Sequence, residues 1–149
     1  MSSRPTTLIL VVNCGSSSLK YEVYEMPTRA SRGKGQVERI GISGGIVTQE
    51  SETGAYRLEK RIDDHAAAFE EMVRALTDPK KGILGSMDEI GGVGHRVVHG
   101  GEKYAESVVV DDSVLAAIEE NIELAPLHNP ANLTGIRESI NRVPNTGQV

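Results

Sequence analysis

Thr7-Leu-Ile-Leu-Val-Val-Asn13-Cys14-Gly15-Ser16-Ser17-Ser18-Leu19-Lys20-Tyr21-Glu22-Val23-Tyr24 is the stretch on which the reading of this chain turns. An apolar run ends in Asn13, passes through Gly15 and three serines, and leaves as an alternating apolar/polar run. Both flanks read as strands and the middle as a tight turn, so residues 7–13 and 19–25 are expected to pair as a β-hairpin with a polar tip. The tip gathers backbone N–H groups, three hydroxyls, the Asn13 amide and the Lys20 ammonium. That inventory suits phosphate oxygens and, through Asn13, a metal-bound water. It is not a Walker A loop, because no G-x-x-x-x-G-K-[ST] is present and the residues after Lys20 are strand-like rather than helical. Gly-Ser-Ser-Ser alone is an ordinary turn. Between two strands, with Asn13 and Lys20 at its sides, it reads better as a phosphate loop.

Composition narrows the classes. At 149 residues the chain is long enough for one domain with a core and short for two. Apolar residues make up 38% and charged residues 25%, an ordinary balance for a globular protein. The net charge of −5 argues against non-specific nucleic-acid binding. Cys14 is the single cysteine, which excludes an internal disulfide and fits a reducing compartment. No apolar run approaches the roughly 20 residues that cross a bilayer, and the opening residues lack a signal-peptide pattern. A cytoplasmic address with no membrane partner is expected. With no Trp and one Phe, the core must be built from Val, Ile, Leu and Ala.

After the hairpin, residues 27–35 read as a Gly-rich basic loop. Residues 36–47 and 56–62 read as further strands, separated by a polar stretch over 48–54. The period then changes. Asp63 or Asp64 can cap a helix with Phe69, Met72, Val73 and Leu76 on one face, ended before Asp78-Pro79. A second helix is expected from about Asp112 or Ser113 to Leu124. A third is expected with Asn129 as N-cap and Pro130 at its first position, presenting Leu133, Ile136 and Ile140. Strands lead and helices follow, which indicates an α/β or α+β layer. The tail over 143–149 reads as a loop leading towards a further strand.

Gly94-His95-Arg96-Val97-Val98-His99-Gly100-Gly101-Glu102 is the second unusual stretch. Three glycines around a strand let a ligand or another backbone approach. Alternation puts Arg96 and Val98 on one face, and His95, Val97 and His99 on the other. An Arg beside a small apolar side chain suits a short carboxylate, with the guanidinium on the oxygens and Val98 on the alkyl end. Alone, Arg96 reads sooner as a structural ion pair at a strand end, and His95 and His99 read as packing histidines without metal-ligand company. In Leu127-His128-Asn129-Pro130, Asn129-Pro130 needs no role beyond helix initiation. Leu127 could wall an acyl pocket and His128 could donate to a ligand oxygen, though both also read as structural.

Taken jointly, V-N-C-G-S-S-S-L-K-Y (12–21), G-H-R-V-V-H-G-G-E (94–102) and A-P-L-H-N-P-A-N-L (125–133) resemble the acetate kinase family, in the right order and at matching separations. The resemblance covers nearly the whole chain but only the family's N-terminal portion. It implies an α/β fold of the ribonuclease H-like/actin-like ATPase class. Residues 1–149 would be the N-terminal domain of a two-domain kinase, lacking its last strand and its C-terminal domain. It implies that Asn13 helps hold Mg²⁺ and that Lys20 lies near the phosphates of ATP or ADP, with Gly15, Ser16 and Ser18 supporting the loop. Arg96 would bind the carboxylate and the phosphoryl group in flight. Val98 and Leu127 would line the methyl pocket, and His128 would lie near the transferring group. The implied reaction is reversible transfer of the ATP γ-phosphate to acetate, giving acetyl phosphate, in a full-length homodimer. The family's catalytic Asp and second Arg fall beyond Val149, so the chain is expected to be a fragment, inactive by itself. Propionate kinase is compatible with the same motifs. A phosphate- or nucleotide-binding module without catalysis, and a purely structural domain, are the readings from other classes.

Overall fold

The structure is a computed structural model describing residues 5–97, 106–126, 129–144 and 146–149. The described residues form one mixed sheet of seven strands, with helices packed on one face. The strands are β1 (Thr7–Cys14), β2 (Ser18–Met26), β3 (Ala30–Glu38), β4 (Ile46–Ser51), β5 (Gly54–Glu59), β6 (Ile90–His95) and β7 (Gly147–Gln148). Their order across the sheet is β5-β4-β3-β2-β1-β6-β7. The first five form an antiparallel meander, whereas β6 runs parallel to β1 and β7 parallel to β6.

Alternation along the strands builds the core. Leu10, Val12 and Cys14 of β1, Leu19, Tyr21 and Val23 of β2, Val37 of β3 and Val47 of β4 are buried on one face. Helix α1 (His65–Leu76) covers β2 to β4 with Phe69, Met72, Ala75 and Leu76. Helix α3 (Asn129–Arg142) lies against β1 and β6. Helix α2 (Asp112–Glu120) packs Val114 and Ile118 against Leu133 and Ile136 of α3. The first cap is as expected: the Asp64 carboxylate accepts from the Ala67 N–H at 2.8 Å.

Several boundaries differ from the sequence expectations. The basic loop over 27–35 is a short turn followed by strand from Ala30. Its glycines hide the strand because they sit where neighbours fill the space of a side chain. A Cβ on Gly35 would lie 2.3 Å from the Tyr21 hydroxyl, and one on Gly33 would lie 2.5 Å from Ile83. The single strand over 36–47 is two strands, broken at Arg39, Gly41 and Gly44, which all take positive φ. The polar 48–54 stretch is mostly strand. Gln49 is buried there, accepting from the Tyr21 hydroxyl at 2.8 Å and donating to the Ala75 carbonyl at 2.8 Å. The strand expected over 56–62 starts at Gly54 and ends at Glu59.

Helix α2 ends at Glu120, and a 3₁₀ turn (Ile122–Leu124) continues it. Asn129 is inside α3 rather than capping it. Its N–H bonds the Ala125 carbonyl at 2.9 Å, and its side chain donates towards the Ile118 and Asn121 carbonyls at the end of α2. The tail also goes beyond a loop: Gly147 and Gln148 already pair with Gly92 and Val93 of β6.

Candidate functional site

The hairpin register puts Asn13 directly across from Lys20. On the other side of β1, Val12 is in register with His95, and the Arg96 N–H donates to the Val12 carbonyl at 3.3 Å. Lys20, Asn13 and Arg96 therefore form a row across three adjacent strands, where β1 and β6 end side by side. This is the carboxyl edge of the parallel strands, where open α/β sheets receive ligands. A pocket of about 290 Å³ opens there, lined by Asn13, Cys14, Gly15, Ser18, Lys20, Arg96 and Asn132.

The loop that closes the pocket is held from three directions. The Gly15 N–H donates to the Ser18 carbonyl at 2.8 Å, closing the turn, and the Ile40 N–H donates to the Ser17 carbonyl at 2.9 Å. Asn132 of α3 donates its side-chain N–H to the Cys14 carbonyl at 2.9 Å. Nε2 of His65, the first residue of α1, lies 2.6 Å from the Gly15 carbonyl oxygen. That oxygen can only accept, so Nε2 carries the proton. Below the loop, burial above all, and then the charge of Glu138, push the Cys14 thiol up to about 12. Cys14 is thus a small packing residue rather than a nucleophile.

The electrostatics favour an anion. The described lining holds two cations and no carboxylate. Among the described residues, neither Lys20 nor Arg96 is salt-bridged. A larger hollow of about 560 Å³ on the sheet shares Asn13 and Lys20 but also contains Glu22 and Glu50, which offset the charges of Lys20 and Lys34 there. No cluster of three His, Cys, Asp or Glu able to hold a metal occurs among the described residues. Asn13 offers one neutral oxygen, which fits contact with a water on a Mg²⁺ carried by phosphates better than a resident metal cage.

Of the residues singled out in the sequence, Asn13, Gly15, Ser18, Lys20 and Arg96 come together at one pocket. Ser16 is exposed and does not line it. Val98, His99, Leu127 and His128 lie outside the described residues. Two contributors carry no signal in the sequence. Asn132 sits three residues after Asn129 in a stretch that reads as helix initiation, and His65 follows a capping Asp. No local pattern marks either as a partner of a loop far away in sequence. No helix among the described residues is long and apolar enough to cross a membrane.

The model of the acetokinase family matches residues 8–149. An acetate kinase of Clostridium botulinum (strain Loch Maree / Type A3) is 51% identical over 141 residues, covering 95% of this chain and 36% of the relative. The crystal structure of Porphyromonas gingivalis acetate kinase superposes with a TM-score of 0.90 at 43% identity, covering 95% of this chain and 36% of that one. A propionate kinase from Francisella tularensis subsp. tularensis SCHU S4 superposes with a TM-score of 0.85 at 34% identity, covering 95% of this chain and 35% of that one. The chain thus spans about a third of the length of these relatives. The fold is of the ribonuclease H-like/actin-like ATPase class expected from the sequence. Matched by the family model over residues 8–149 and 51% identical to a curated acetate kinase over 95% of its own length, this chain belongs to the acetokinase family of kinases.

Proposed function

We propose that the chain is the N-terminal domain of a two-domain carboxylate kinase that moves the γ-phosphoryl group of ATP onto acetate, reversibly, giving ADP and acetyl phosphate. The observation that carries this reading is the Lys20–Asn13–Arg96 row beside a Ser-rich loop, at a pocket lined by two cations and no carboxylate. A carboxylate acceptor is already ionised at neutral pH and needs no strong base. What remains is to align the reactants and to neutralise charge on the phosphoryl group.

Arg96 takes carboxylate and phosphoryl oxygens through its planar fork, and Lys20 meets the nucleotide phosphates as a point charge. Gly15, Ser16 and Ser18 offer loop donors to the same phosphates. Asn13 would hold a water of the Mg²⁺ that comes with the nucleotide, and that ion would supply further charge neutralisation. Outside the described residues, the family resemblance gives Val98 and Leu127 the role of lining the methyl pocket and sets His128 near the group in transfer. Identities of 51% and 43% to the Clostridium botulinum and Porphyromonas gingivalis acetate kinases, against 34% to the propionate kinase, support acetate as the acid, while an acetate kinase from Entamoeba histolytica stands lower at 29%. Alone, the 149-residue chain is inactive, and the full enzyme is a cytoplasmic homodimer.

The test is an acyl-hydroxamate assay on the enzyme carrying this chain, with acetate and propionate compared. Arg96→Ala should lower kcat on the order of 10²-fold or more, the usual loss when one charge-stabilising donor is removed. Turnover surviving within about tenfold would show that Arg96 does not stabilise the phosphoryl group in transfer. Hydroxamate formed by residues 1–149 alone would sink the reading of the chain as an incomplete catalyst.

A further inference from the structure

We propose that Asn132 and His65 are positioning residues that aim the 14–18 loop at the nucleotide phosphates; this rests on the kinase reading above. The observation is that consecutive loop carbonyls are turned into the protein by donors from two different helices. Asn132, only 4% exposed, donates to Cys14 O at 2.9 Å from α3. His65 donates to Gly15 O at 2.6 Å from α1. The Ile40 N–H takes Ser17 O at 2.9 Å. A carbonyl facing a phosphate would repel it, so turning these oxygens inward removes negative partial charge from the site. In a trans peptide the N–H points opposite to its C=O. With Gly15 O drawn onto α1, the Ser16 N–H is therefore presented away from that helix, and the exposed Ser16 leaves it accessible.

The packing of α3 makes the Asn132 contact feasible. Gly135, one turn further along α3, lies against Cys14, where a Cβ would sit 3.1 Å from the Cys14 Cβ and 3.2 Å from its Sγ. A glycine at that spacing lets the helix approach closely enough for Asn132 to reach the loop backbone. Removing either donor frees one carbonyl to rotate towards the phosphates. The cost should appear in nucleotide use rather than in carboxylate binding.

The experiment combines Asn132→Leu, His65→Phe and His65→Gln in the enzyme carrying this chain. The Gln amide nitrogen restores a donor near the place of Nε2. We expect Asn132→Leu and His65→Phe to lower kcat/KM for ATP at least about tenfold, with KM for acetate held within about threefold. His65→Gln should return to within about threefold of the parent. In the 149-residue chain, hydrogen exchange at the Gly15 amide should accelerate about tenfold or more in the first two variants, because local opening exposes it. If folded variants keep their kcat/KM for ATP, or leave Gly15 exchange unchanged, the assignment is overturned. It is equally overturned if acetate and ATP are affected alike and Gln does not rescue. Should Asn132→Leu fail to fold, the His65 pair decides. A parent without turnover would instead remove the kinase reading, and the exchange rates would then decide whether the two side chains order the loop.

Discussion

Single residues in this chain often take their meaning from what lies above or beside them. Cys14 is the chain's one thiol, placed at the start of the Ser-rich loop, and the sequence position alone invites a reactive role. Burial denies it: the side chain is 3% exposed and the thiol is pushed up to about 12. Native protein should therefore resist iodoacetamide at pH 8, and labelling should track unfolding in urea, as followed by mass spectrometry. Labelling at the rate of a free thiol would show that the loop opens far more readily than its hydrogen bonds imply. Gln49 is the converse case. A polar residue in a polar stretch looks like loop, yet its amide joins Tyr21 to the end of α1 and makes the site interior. Asn13, Lys20 and Arg96 were legible because their chemistry contrasts with the apolar strands around them.

Elements were legible where the apolar period was unbroken and illegible where glycine or polar residues interrupted it. Helix α1 is legible from its three-and-four spacing and its cap. Asp64→Ala should cost about 1 kcal/mol through the lost bond to Ala67. For a domain of this size that corresponds to a fall in Tm of roughly 2–6 °C, measurable by calorimetry. An unchanged Tm would mean that tertiary packing alone sets the start of α1. Strand β3 escapes a local reading because Gly33 and Gly35 make room for Ile83 and Tyr21 instead of contributing apolar alternation of their own. The opening of α3 misleads for a different reason. Asn-Pro is a sound initiation signal, but α3 starts against the end of α2, and Asn129 serves the carbonyls there.

For the molecule as a whole, the junction of β6 and β7 ties the sheet together and makes stability depend on pH. The His95 ring donates to the Gln148 side chain at 2.6 Å, and the Gln148 carbonyl accepts from Val110 at 2.8 Å. Burial holds His95 below its ordinary value of 6.5, partly opposed by the Gln148 hydrogen bond. The unfolded chain therefore takes up this proton first as the pH falls. The stabilisation is complete above 6.5 and is lost as the pH falls through the lowered folded value. The urea midpoint should drop between pH 7 and 5, and His95→Gln, which keeps a donor to Gln148, should remove part of that slope. An unaltered slope would place the dependence on other groups. By itself, the sequence determined the hairpin, the polar tip, the cations beside it and the helices that follow, because turn chemistry and periodicity are written in neighbouring residues. Only the tertiary structure decided that α3 and α1 reach back to hold the loop carbonyls. Those contacts depend on how closely two helices pack across the sheet, and no local pattern encodes that distance.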